Sequence, residues 1–162
     1  MLLVTGATSH SGKFFFKKLV KENYKGKIKC FVREDSDIEF LKKINLNIIF
    51  FHGDLNNINS IKNAMFNVKY ILNIAGINFS EDIVRIGNEY GIEWFICVHT
   101  TGRYSKFRSL SSKYVRIEDD ILNQYSNITI LRPTMIYGSS LDHNMWKLIR
   151  YIDNHTFFPI FG

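Results

Sequence analysis

Two cysteines in 162 residues, Cys30 and Cys97, each inside an apolar run, leave no paired spacing for a zinc site. They read as two buried thiols with no disulfide. No apolar stretch approaches the roughly 20 residues that a bilayer-spanning helix needs. The N-terminus also lacks a charged segment followed by an apolar one and a small-residue cleavage site. The expectation is a cytoplasmic protein with no membrane partner. Positive charge is in excess, at +6, but the lysines and arginines are spread along helix-like stretches with acids between them. No basic cluster is interleaved with exposed aromatics, so nucleic acid is not the expected partner. The excess suits a pocket for phosphorylated ligands instead. Internal repeats and linkers are lacking too. What is present is 46% hydrophobic residues with 15% aromatics, enough for one globular domain over residues 1–162 with a sizeable core.

The chain opens on a short apolar run, Leu2-Leu3-Val4. It breaks into the small-residue turn Thr5-Gly6-Ala7-Thr8-Ser9-His10-Ser11-Gly12 and continues as a helix from Lys13. Strand, tight turn and helix in this order make a dinucleotide site. The helix N-terminus offers unpaired N–H groups and partial positive charge to a pyrophosphate, and small side chains let the phosphates approach. Gly6, Thr8, Ser9, His10, Ser11 and Gly12 are the candidates. Further strands are expected at residues 27–32, 46–51, 68–74, 94–99 and 128–132, the first helix ending at Asn23 and Gly26. Later helices are expected at 36–43, 56–65, 80–90, 111–124 and 143–151. This alternation predicts an α/β fold, a doubly wound parallel sheet. Right-handed crossovers give it the order 3-2-1-4-5-6, with Cys30 and Cys97 on strands two and five.

Arg33 lies just past the second strand, about twenty residues beyond Gly12, where an acidic residue would hold the adenosine 2′-hydroxyl of NAD and an arginine can pair with the extra phosphate of NADP. Ser36 could assist. The other reading gives the ribose to Glu34 or Asp35 and leaves Arg33 as a solvated charge. NADP is the expected cofactor, with NAD as the alternative.

The Thr5–Gly12 turn resembles the cofactor turn of the short-chain dehydrogenase/reductase superfamily. Gly6 and Gly12 fit its outer glycines. The middle glycine is replaced by Ser9 in the register of extended members and by His10 in that of one-domain members, and the Ser9 hydroxyl could donate to a phosphate. The resemblance implies further roles in order along the chain. Asp54 and Leu55 would lie beside the adenine, unless Asp54 merely caps the next helix. Ala75 and Gly76 would form the turn that passes over a ribose, glycine admitting the backbone approach. Thr100, at the end of the fifth strand, would bond the substrate oxygen. Tyr114 would be the acid or base. Pro133 and Thr134, in the turn from Arg132 to Gly138, would pass the nicotinamide and bond its carboxamide.

One helical turn past Tyr114, where the family carries a lysine, stands Glu118. A phenol with an ordinary pKa near 10 needs a nearby cation to ionise at neutral pH, and an anion acts the other way. Lys113 points about 100° away and cannot substitute. Tyr114 therefore also reads as an amphipathic helix residue, with Val115, Ile117, Ile121 and Leu122 facing a core and Asp119 and Asp120 facing solvent. The resemblance covers the whole chain but about half of an extended relative, so the C-terminal substrate region is expected to be absent. It implies the NAD(P)-binding domain of an extended or atypical member, related to nucleotide-sugar epimerases and dehydratases or to NAD(P)H-dependent reductases. The alternative is a non-catalytic NADP(H)-binding or redox-sensing module of the NmrA-like type. A small-molecule substrate of undetermined identity is implied, and a homodimer is left open.

Overall fold

The computed structural model describes residues 1–106, 108–137, 145–155 and 157. Six strands, β1 (Leu2–Thr5), β2 (Ile28–Val32), β3 (Ile48–His52), β4 (Tyr70–Asn73), β5 (Trp94–Val98) and β6 (Ile128–Leu131), alternate with α1 (His10–Lys21), α2 (Glu39–Lys43), α3 (Ile58–Ala64), α4 (Ser80–Glu89) and α5 (Arg108–Gln124). Helix α6 (Met145–Asn154) follows. All strand pairs are parallel and the order is β3-β2-β1-β4-β5-β6, as the pattern predicts. Cys30 and Cys97 are free, buried thiols on β2 and β5. Burial pushes Cys30 up to about 12 and Cys97 up to about 11, the latter against hydrogen bonds with Ser80 and Asn73.

Alternation along the strands divides the core in two. Leu3, Phe31, Ile71 and Phe95 face α3, α4 and α5, where they meet Ile61, Ile83, Ile86, Ile117 and Ile121. Val4, Cys30, Val32 and Leu72 face the other way, onto Phe16 of α1 and Leu41 of α2. Strands covered on both faces carry apolar residues at successive positions, which explains why Leu2-Leu3-Val4 shows no polar alternation. One polar residue breaks this pattern within β2. Lys29 is 7% exposed and its ammonium donates to the carbonyls of Ala64 at 2.8 Å and Phe66 at 2.7 Å. It thereby satisfies the carbonyls at the end of α3 that no helical N–H reaches.

Element ends follow local capping. Helix α1 starts at His10, three residues before the expected Lys13, because Ser9 caps it: the Ser9 hydroxyl accepts from Gly12 N–H at 3.1 Å. It ends where Asn23 turns left-handed, at φ 51°. There Tyr24 N–H bonds back to the Leu19 carbonyl. Helix α5 begins at Arg108 rather than 111, and α6 runs on to Asn154. Its expected first residues, His143 and Asn144, lie outside the described residues, as does Gly138. Leu122 is 45% exposed, contrary to expectation, and Val115 only half-buried. Both lie on the flank of α5, beside the inward line of Ile117 and Ile121. No helix among the described residues is long and apolar enough to cross a membrane.

Candidate functional site

The order of the sheet reverses between β1 and β4, so the chain leaves these two strands in opposite directions and a crevice opens above their carboxyl ends. A cleft of about 420 Å³ lies there. Eight of the expected residues stand on its walls: Gly6, Thr8, Ser9, Arg33, Ser36, Asp54, Leu55 and Ala75. Phe31, Val32, Asn56, Ile74 and Phe79 complete them. These five escaped the sequence reading. Ile74 and Asn56 adjoin expected positions, but Phe79 comes from the short 3₁₀ turn Ile77–Phe79, which no motif announced.

The floor is a close approach of two turns. Gly6 has φ +69°, and a Cβ there would stand 2.7 Å from the Ala75 nitrogen. Gly12 is held as tightly, since its Cβ would fall 2.4 Å from the Gly6 carbonyl oxygen. Both outer glycines are thus required by contact, and at Gly6 by conformation too. Gly76 has φ +118° with nothing within 4 Å of where a Cβ would stand. Ser9, at the missing glycine, accepts from Gly12 N–H, which leaves its own hydroxyl proton available to donate toward the cleft. His10, Ser11 and Gly12 form the first turn of α1 behind the wall. The His10 ring lies edge-on to Phe14 at 5.0 Å.

Beyond β2 and β3 the polar groups stand in water. Arg33 Nε meets Asp35 at 3.4 Å, the two side chains being 73% and 75% exposed. Ser36 Oγ accepts from the Arg33 N–H, and the Ser36 N–H returns a bond to the Arg33 carbonyl. Glu34 leans instead toward His52, at 3.4 Å. Asp54 Oδ1 accepts from the main-chain and side-chain N–H groups of Asn56, each at 2.9 Å. The cap of α3 is Asn57, not Asp54.

Thr100, Tyr114, Pro133 and Thr134 do not line this cleft. Thr100 and Tyr114 are nevertheless brought together over Gly102, where a Cβ would meet Tyr114 Cε2 at 3.1 Å and Thr100 Oγ1 at 3.3 Å. The Thr100 hydroxyl accepts from Gly102 N–H and caps the 3₁₀ turn Thr101–Tyr104. Pro133 is half-buried and Thr134 exposed.

Glu118 corrects the expectation of an anion acting on Tyr114. It is fully buried and its carboxylate accepts from His99 Nδ1 at 2.9 Å, from Arg132 at 2.6 to 3.2 Å, and from Arg103. Burial works against the charge, but the bonds from Arg132, Arg103 and His99 outweigh it and hold the Glu118 carboxyl down at about 2. Burial likewise lowers His99, with Glu118 opposing in part. His99 is therefore neutral at pH 7.

No family model and no curated protein matches the chain. Solved structures do. The triphenylmethane reductase of Citrobacter sp., crystallised with NADP(H), is 22% identical with a TM-score of 0.69, over 85% of this chain and 50% of that one. A short-chain dehydrogenase/reductase from Veillonella parvula is 18% identical with a TM-score of 0.66, over 86% and 71%. A Rossmann-fold NAD(P)-binding family protein from Shigella flexneri is 19% identical with a TM-score of 0.65, over 86% and 69%. The chain spans about half the length of the triphenylmethane reductase. At these identities the likeness is one of fold, and together with the strand order it identifies the chain as a doubly wound Rossmann-type domain.

Proposed function

We propose that the chain binds NADP(H) in the cleft above β1 and β4, as the cofactor domain of a short-chain dehydrogenase/reductase of the extended or atypical kind. One observation carries this: Arg33, Ser36 and Asp54 stand on the same 420 Å³ cleft as the Gly6 turn and the Ser9-capped helix end. A dinucleotide needs both parts, an anion-binding helix terminus and, beyond the second strand, a group that reads the 2′ position. In this reading the pyrophosphate lies over Gly6, Thr8 and Ser9, with the first turn of α1, His10 to Gly12, supplying positive potential. Arg33 exchanges its exposed partner Asp35 for the 2′-phosphate, Asp54 accepts from the adenine amino group, and Leu55 packs on the ring. Ala75 and Gly76 pass the ribose, and Pro133 and Thr134 the nicotinamide. NADP(H) supplies hydride transfer when bound.

Thr100 and Tyr114 are the candidates for holding a substrate oxygen and its proton. The lysine that the resemblance would place one helical turn past Tyr114 is replaced by a carboxylate turned to other partners. That favours a second reading, a cytoplasmic module that binds NADP(H) without turnover. Calorimetric titration with NADPH and NADH tests the proposal. Tighter binding of NADPH is expected. Binding of neither removes the reading, and a preference for NADH removes the role of Arg33.

A further inference from the structure

A file of buried polar side chains crosses the sheet beneath the cleft and takes no part in the reading above. The Thr5 hydroxyl lies 2.6 Å from Asn73 Oδ1. Asn73 Nδ2 donates to Ser80 Oγ at 2.9 Å and to the Gly76 carbonyl at 3.2 Å. Ser80 Oγ lies 2.8 Å from His99 Nε2, and His99 Nδ1 lies 2.9 Å from Glu118 Oε1. Glu118 then meets Arg103 and Arg132. Thr5, Asn73, Ser80 and Glu118 are at most 1% exposed and His99 is 6% exposed.

The chemistry of one member fixes the direction of the whole file. An ionised carboxylate only accepts, so His99 Nδ1 carries the proton and Nε2 must accept from the Ser80 hydroxyl. Ser80 Oγ then accepts from the Asn73 amide, and Asn73 Oδ1 accepts from the Thr5 hydroxyl and from the Ala75 N–H, at 3.2 Å. One arrangement of protons satisfies every group. Ser80, His99 and Glu118 have the spacing of a nucleophile, base and acid, but Ser80 is closed to solvent. The acid is also already neutralised by two guanidinium groups. The file holds protons in place and does not transfer acyl groups.

Its two ends lie on functional ground. At one end it fixes the Ala75 amide and the Gly76 carbonyl, where the cleft wall passes from β4. At the other it fixes Arg103, within the turn after Thr100, and Arg132, directly before Pro133. We propose that Glu118, acting through His99, Ser80 and Asn73, is a positioning residue that holds the two halves of the dinucleotide site in register, an inference that rests on the NADP(H) reading. Short, buried side chains bonded to one another pass a displacement from one end to the other, because any slack leaves a buried polar group unpaired.

Ser80→Ala breaks the file in its middle without touching the cleft. Calorimetric titration of wild type and variant with NADPH and with 2′,5′-ADP, which keeps the adenosine and its two phosphates but lacks the nicotinamide half, separates the outcomes. The variant is expected to lose about three- to tenfold in NADPH affinity and to hold 2′,5′-ADP within about twofold. Equal losses for both ligands, or none, overturn the positioning role. A wild-type chain that binds neither ligand removes the dinucleotide reading and this role with it. A second measurement needs no variant: in the ¹⁵N spectrum of the histidine-labelled wild type, His99 is expected as the Nδ1–H tautomer, its Nε2 resonance moving when NADPH saturates. An Nε2–H tautomer, or a resonance that NADPH leaves in place, overturns the proposal.

Discussion

On the β1–β3 side of the switch point, the polar side chains around the cleft are exposed and loosely paired, with Arg33 and Asp35 meeting at 3.4 Å in water. On the β4–β6 side they are buried and completely matched, from Asn73 through His99 to Glu118. The contrast separates two uses of polarity. An exposed ion pair is worth little, on the order of 0 to 1 kcal/mol, so it is readily exchanged for a ligand phosphate. A buried, charged and fully bonded group cannot be exchanged without stranding its partners. In the NADP(H) reading, ligand recognition belongs to the first region, and the shape of the site to the second.

The largest effect is expected from carrying the family's lysine into the matched region. Glu118→Lys sets a third cation against Arg103 and Arg132 in a closed interior. It is expected to destabilise the fold by about 3 to 5 kcal/mol, the scale of a broken buried pair, without creating a working acid/base pair at Tyr114. Urea unfolding measures this, and a variant of wild-type stability would show that the two regions do not differ as described.

Next is Arg33→Ala on the exposed side. It is expected to leave urea stability within about 0.5 kcal/mol of wild type and to weaken NADPH about tenfold or more, the scale of one charge-assisted hydrogen bond. NADH affinity should be unchanged. Equal weakening of both cofactors would assign Arg33 to the fold or to the pyrophosphate instead.

A smaller effect concerns pH. Folded His99 is held below its ordinary value of 6.5, so the unfolded chain binds more protons than the folded one as pH falls through 6.5. Stability therefore declines from that pH downward until folded His99 itself takes a proton. Melting temperatures between pH 8 and pH 5 are expected to show this decline, and His99→Gln to remove much of it at the cost of a lower plateau. The least effect is expected from Tyr114→Phe, which should leave NADPH affinity within about twofold. NADPH oxidation by the wild-type chain that vanishes in this variant would restore Tyr114 to an acid/base role.

The fold was legible because each level of the sequence agreed: apolar runs of strand length, small-residue turns and amphipathic helices alternate, and handedness leaves few ways to join them. The exposed half of the candidate site was legible for a related reason. Gly6, Arg33, Asp54 and Ala75 each lie within two residues of a strand's carboxyl end, so sheet order alone brings them to one crevice. Glu118 was misread because helical spacing names its neighbours along α5 but not the side chains that meet it from β5 and β6. His99 and Arg132 lie 19 and 14 residues from it, and only the sheet aligns them. Leu122 failed in the same way, since an apolar residue on a helix flank looks in sequence like one on its inner face.

Lys29 offers a chemical handle on the intact fold. Its ammonium is bonded to the Ala64 and Phe66 carbonyls under the end of α3, while Lys18 and Lys42 stand at the surface with side chains 66% and 53% exposed. An acylating reagent reaches an amine only along an open line of approach. Lys29 will therefore stay unmodified while the surface amines react, and its acylation, read by mass spectrometry, will time the moment α3 lifts from the sheet.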